Sequence, residues 1–210
     1  MTVTDDAQAL LAYVDAHSID VAPTRRGWTH MGAIIADAAL QRRQRYASTV
    51  LPRVRALQAA WPDAATTTGF LARIRAGGDL HAVLSWKGVD RIDQIVAMAT
   101  VLEHLEIDTS EQLGLALGGE GRAAIRHAFG RVRHVGRKTL DYLDVLTGSE
   151  DAVAIDVRVR HVAGKAGIKD LTYAHLASVV RAAAAIRGWA ASDLDAALWA
   201  HGDAATGQPV

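Results

Sequence analysis

Apolar residues recur along this chain at helical spacing and almost nowhere in strand alternation, which removes most sheet-based architectures. The clearest case is VDRIDQIVAMATVLEHL, where Ile92, Ile95, Val96, Ala99 and Leu102 fall on one stripe. That spacing lets a helix bury one face and solvate the other. The same reading predicts a first helix from Asp5 to Ala16. MGAIIADAALQRRQRYASTVL is apolar first and basic later, and Pro52 is expected to break or kink the helix at its end. AATTTGFLARIRAGGD and LHAVLSW read as short helices separated by Gly77 and Gly78, and TSEQLGLAL opens on a Thr/Ser cap. GRAAIRHAFGRVR and RKTLDYLDVL read as two helices joined by a short HVG turn. Asp156 opens VRVRHVAGKAG. TYAHLASVVRAAAAIRGW and SDLDAALWAHG close the fold, and DAATGQPV reads as a loose tail over about 203–210. Half of the 210 residues are apolar and 5% are aromatic, with alanine abundant, which suits closely packed helices. The expectation is an all-α, compact, two-lobed fold spanning residues 1–210 as one unit.

Several chemistries are excluded early. The chain has no cysteine, which removes disulfides, a thiolate nucleophile, iron–sulfur clusters and cysteine-ligated zinc. His30, His81, His104, His161, His175 and His201 are scattered without metal-ligand spacing, so structural or surface roles are expected, with no metal and no cofactor. The acidic, amphipathic N-terminus is not a secretory signal, and no stretch approaches the ~20 apolar residues of a membrane span. A cytoplasmic, monomeric protein without membrane association is expected.

Net charge is zero, but its distribution is uneven. Arg122, Arg126, Arg131, Arg133, Arg137 and Lys138 succeed one another without an acid, with His127 and His134 among them. Arg42, Arg43, Arg45, Arg53 and Arg55 form a second acid-free run. Such runs are either solvated helix faces or phosphate-binding surfaces. Asp141 and Asp144, just beyond the first run, are expected to face solvent.

The segment RAAIRHAFGRVRHVGRKTLDYL resembles a helix–hairpin–helix element, whose turn is usually written as a hydrophobic residue followed by Pro, Gly, Val, Gly, Arg, Lys and Thr. Here the turn reads VRHVGRKT, with Arg133 in place of the proline and His134 in place of the first glycine. The resemblance extends to AIDVRVRHVAGKAG, which is similar to the aspartate segment of the helix–hairpin–helix DNA glycosylases at a separation like that of their endonuclease III branch. RIDQIVAMATVL, SDLDAALWAHG and MGAIIADAALQRRQRYASTV are similar, in order, to further helices of that superfamily, so the likeness covers roughly residues 28 to 202. Without cysteine, the iron–sulfur cluster of endonuclease III itself has no counterpart.

The resemblance implies a helix–hairpin–helix over about 121–147 and a base-excision repair activity on double-stranded DNA carrying a damaged or modified base. A glycine hairpin feeding a helix start exposes backbone amides suited to a phosphate, which implies DNA contacts from Arg133, His134, Val135, Gly136, Arg137 and Thr139. It assigns Asp156 to stabilising the positive charge that develops on the sugar as the base leaves. An aspartate at this place also caps a helix, and the two roles are compatible. Lys138 is implied as the nucleophile that forms a Schiff base at C1′, giving an associated lyase activity. An amine attacks only when neutral, and neighbouring Arg137 favours that form. Only four of the 23 basic residues are lysine, yet this one stands beside an arginine that would serve a phosphate at least as well. The residue filling the gap left by the extruded base falls, by order, near Asp37, Ala38 and Gln41, and Trp28 is a candidate to stack on the base. A monofunctional glycosylase, with water activated by Asp156, and a non-catalytic DNA-binding protein on the same scaffold are the alternatives. No motif names the base.

Overall fold

The computed structural model describes residues 2–24 and 27–206, with side chains as far as 202. Every regular element among the described residues is helical. The chain divides into two compact units, Met1–Arg25 with Ser149–Pro209, and Arg26–Gly148.

The first unit contains α1 (Val3–Ala16), α10 (Val157–Lys165), α11 (Tyr173–Arg187) and α12 (Ala191–Thr206). Helix α1 begins two residues before the expected Asp5, because Thr2 and Asp5 cap it reciprocally: the Asp5 amide donates to Thr2 Oγ1 and the Thr2 amide to Asp5 Oδ2. Those hydrogen bonds hold the Asp5 carboxyl below its ordinary range. Helix α1 packs on α11, and α10 on α12. Leu10, Val14, Val159, Val162, Leu176, Val179, Val180, Leu194 and Leu198 form the core, with Ala177, Ala183 and Ala184 allowing close approach. Each such large apolar side chain contributes roughly 1.5–3 kcal/mol by leaving water. Helix α12 continues to Thr206, so 203–206 of the expected tail are helical, while 207–210 lie outside the described residues.

The second unit contains α2 (Met31–Leu40), α3 (Leu51–Ala60), α4 (Thr67–Arg75), α5 (Leu80–Val83), α6 (Val89–His104), α7 (Ser110–Gly118), α8 (Arg122–Gly130) and α9 (Arg137–Leu146). All ten residues of α2 are buried, and α3, α4, α6 and α9 pack around it. An apolar sequence on every side of a helix is the signature of such a central position. His30 starts α2: its Nδ1 accepts from the Ala33 amide and its Nε2 donates to the Trp61 carbonyl. This is a structural histidine, as its isolation in the sequence suggests. Helix α2 stops where the arginines begin, since Arg42, Arg43 and Arg45 are exposed. The chain then forms a wide π turn over Tyr46–Val50. Pro52 neither breaks nor kinks a helix. It lies in the first turn of α3, where a missing N–H leaves no hydrogen bond unmade.

Candidate nucleic-acid interface

Helices α8 and α9 are locked together by ion pairs. Arg122 makes a bidentate pair with Asp144 at 2.7 and 2.8 Å, and Arg126 reaches Asp141 at 2.7 Å. Asp144 is buried and Asp141 is largely shielded. These two carboxylates therefore face α8, not solvent as expected. Carboxylates three residues apart on α9 meet arginines four apart on α8, one turn against one turn. The pair with Asp144 holds the Arg122 guanidinium above its ordinary pKa. Arg122 and Arg126 thus leave the basic run as internal struts, and the outward charge concentrates at the turn.

The turn spans 131–136. Val132 and Val135 are buried and anchor it, with the Val135 amide donating to the Val132 carbonyl at 3.1 Å. Between them His134 adopts a left-handed backbone, φ +69°, which a non-glycine residue takes at a cost. Arg133, Gly136 and Arg137 are exposed, while Lys138 and Thr139 are half-buried. Gly136 has extended φ and ψ of −113° and −179° and precedes α9 without a capping side chain. A Cβ placed there would meet nothing within 4 Å. Neither conformation nor packing demands glycine at Gly136; what glycine provides is bare backbone at a helix start, where the first amides carry partial positive charge.

Arg133 pairs with Asp90 of α6 at 3.2 Å. The next residue, Arg91, is buried, and its Nη2 donates to the Arg42 carbonyl at 2.9 Å. The two basic runs of the sequence are therefore joined through the start of α6.

Asp156 belongs to the other unit. It caps α10, its Oδ1 accepting from the amides of Arg158 (2.9 Å) and Val159 (3.2 Å). Its Oδ2 accepts from Trp199 Nε1 at 3.1 Å and pairs with Arg158 Nη1 at 3.4 Å. The Arg158 guanidinium lies over the Trp199 ring, 4.6 Å from its centroid. This cluster depends on a close crossing of α12 over α10. At Gly202, one turn beyond Trp199, a Cβ would come within 2.9 Å of Arg158 Cβ and 3.0 Å of its carbonyl oxygen. The capping role is met, and the carboxylate is held in one orientation with only 9% of its side chain exposed.

The chain matches the model of a family described as a domain of unknown function, DUF8548, over residues 8–203. It belongs to the DUF8548 family. No curated protein and no solved structure matches it. In this DUF8548 chain the matched span takes in the hairpin, Lys138 and Asp156.

The gap-filling candidates fare differently. Ala38 is 2% exposed and Asp37 fully buried, so neither presents a surface that could enter a duplex. Trp28 and Gln41 are half-buried. Asp37 instead accepts from Trp28 Nε1 (2.9 Å), Tyr46 Oη (2.9 Å) and Tyr142 Oη (3.1 Å). The lone acid of α2 thereby ties the π turn and α9 to the centre of the unit, and the Trp28 indole N–H is committed there. Sequence reasoning missed Arg158 and Trp199 around Asp156, and Arg91 beside the hairpin. Among the described residues no group of three or more His, Asp or Glu side chains is placed to hold a metal, and no helix is long and apolar enough to cross a membrane.

Proposed function

We propose that this chain is a base-excision DNA glycosylase, cleaving the N-glycosidic bond of a damaged or modified base in duplex DNA, with an associated lyase step through Lys138. The observation that carries this reading is the turn between α8 and α9. His134 takes a left-handed backbone at the place where the helix–hairpin–helix motif has its first glycine. Bare Gly136 then opens a helix whose first turn contains Lys138. A strained residue kept at that place supports the motif independently of residue identity.

The turn serves as a backbone clamp: phosphate contacts position the protein and carry no sequence information. The target base leaves the stack at a cost of a few kcal/mol. As the bond to C1′ breaks, positive charge grows on the sugar, and the oriented Asp156 carboxylate offsets it. The Lys138 amine adds to C1′, giving after loss of the base a Schiff base from which β-elimination nicks the strand.

A second reading is DNA binding without excision. It is favoured by one specific observation: both Asp156 oxygens are already engaged, Oδ1 by two amides and Oδ2 by Trp199 and Arg158. Incubating the protein with a panel of duplexes carrying single lesions, with and without alkali, separates the two. Release of free base from any of them supports the glycosylase. Tight, salt-sensitive binding to all of them with no release supports the binding protein.

A further inference from the structure

The hairpin has a second cationic feature that the amide clamp does not use. Arg91 is 9% exposed, yet its guanidinium hydrogen bonds go to neutral acceptors, the Arg42 carbonyl at 2.9 Å and Gln94 Oε1 at 3.3 Å. Asp90, the adjacent acid, directs its carboxylate to Arg133 instead. Among the described residues neither Arg91 nor Arg42 has an ion pair. His134 completes the group: its Nε2 is buried and has no hydrogen-bond partner in the structure. Burying positive charge without a counter-charge is costly, and so is a shielded polar nitrogen without a partner. One oxyanion would relieve both.

We propose that Arg42, Arg91, Arg133 and His134 form a phosphate-binding site, separate from the bare start of α9, that holds a phosphodiester of bound DNA. The proposal rests on the DNA reading for the identity of the phosphate, but not for the existence of the site. A tetrahedral oxyanion accepts from guanidinium groups and an imidazole N–H at once. Arg42 comes from the loop after α2, Arg91 from α6, and Arg133 and His134 from the turn after α8, so the site clasps a strand with three elements. Burial, then Arg42 and Arg133, with Arg91 adding and Asp90 opposing, holds the His134 imidazole below its ordinary pKa. A bound anion counters those cations, so binding takes up a proton and raises that pKa.

Two measurements on the full chain test this. In the first, the imidazole of His134 is followed by NMR across a pH titration with and without inorganic phosphate. The site predicts an upward shift of the His134 midpoint with phosphate, abolished in Arg42→Ala. In the second, duplex DNA affinity is measured against salt. Arg42→Ala and His134→Asn, the latter chosen because asparagine tolerates a left-handed backbone, should each weaken binding severalfold. Arg42→Ala should also reduce the salt slope by about one unit. If phosphate leaves His134 unmoved and both variants bind duplex with wild-type affinity and slope, the site is refuted while the DNA reading stands. If phosphate moves His134 but no duplex binds, the phosphodiester assignment falls together with the DNA reading.

Discussion

Helices α9 and α10 begin in opposite ways. Helix α9 opens on Gly136, with no side chain to cap it and open space where a Cβ would be. Helix α10 opens on Asp156, which takes two of its amides on one oxygen and Trp199 and Arg158 on the other. One helix start offers positive backbone to an external anion; the other supplies its own anion and fixes its direction. The same electrostatic feature, the helix N-terminus, thus binds in one unit and orients a carboxylate in the other. Under the proposed function these are a phosphate clamp and a charge stabiliser.

The largest expected effect comes from neutralising the second start. Asp156→Asn keeps an efficient cap, so thermal stability should change by less than about 0.5 kcal/mol. Base release should nonetheless fall by roughly 10²–10³-fold, the scale of losing one oriented electrostatic group. Excision at wild-type rate would show that Asp156 is a cap alone.

Next in size is the crossing that builds the Asp156 cluster. Gly202→Ala drives a methyl into Arg158, so unfolding should cost about 1–3 kcal/mol less than in wild type, read by thermal melting. Because the clash lies between Trp199 and its partners, excision should fall further than the lost stability accounts for. A variant with unchanged stability would mean that α12 and α10 are not in contact at Gly202.

The smallest stability effect, and the sharpest contrast, belongs to Gly136→Ala. Its φ suits any residue and its Cβ meets nothing, so folding should be unchanged or stabilised by up to ~1 kcal/mol. Affinity for duplex DNA should drop severalfold for every sequence tested, because the added methyl intrudes only on what approaches from outside. Unaltered affinity would remove the start of α9 from the interface.

The elements themselves were legible, and their partners were not. Periodicity located the helices because one buried stripe recurs every 3.6 residues, and Asp156 could be read as a cap from its place before VRVRHVAGK. The sequence also exposed His134 and Gly136 as a turn. It could not show that Asp141 and Asp144 serve Arg122 and Arg126, because a pairing between helices depends on how they are rotated against each other. Asp37 and Ala38 were misread for a related reason. Matching by order put them near an exposed loop, whereas α2 stays buried to Leu40 and the chain emerges only at the arginines beyond it. Trp199 and Arg158 reach Asp156 through a crossing at Gly202, 46 positions from the aspartate, which no local pattern encodes. Arg91 looked like one more charge on an amphipathic helix, although it is the link between two basic runs.

Borohydride trapping decides whether the bare helix start carries a nucleophile and not merely a phosphate contact. Wild-type protein incubated with its best lesion duplex and borohydride should yield a covalent protein–DNA adduct, and Lys138→Gln should yield none while still binding the duplex. Lys87, Lys165 and Lys169 lie outside the turn and should not substitute. Release of free base by the wild type without any adduct would contradict a nucleophilic Lys138, leaving a monofunctional enzyme in which that lysine only holds DNA.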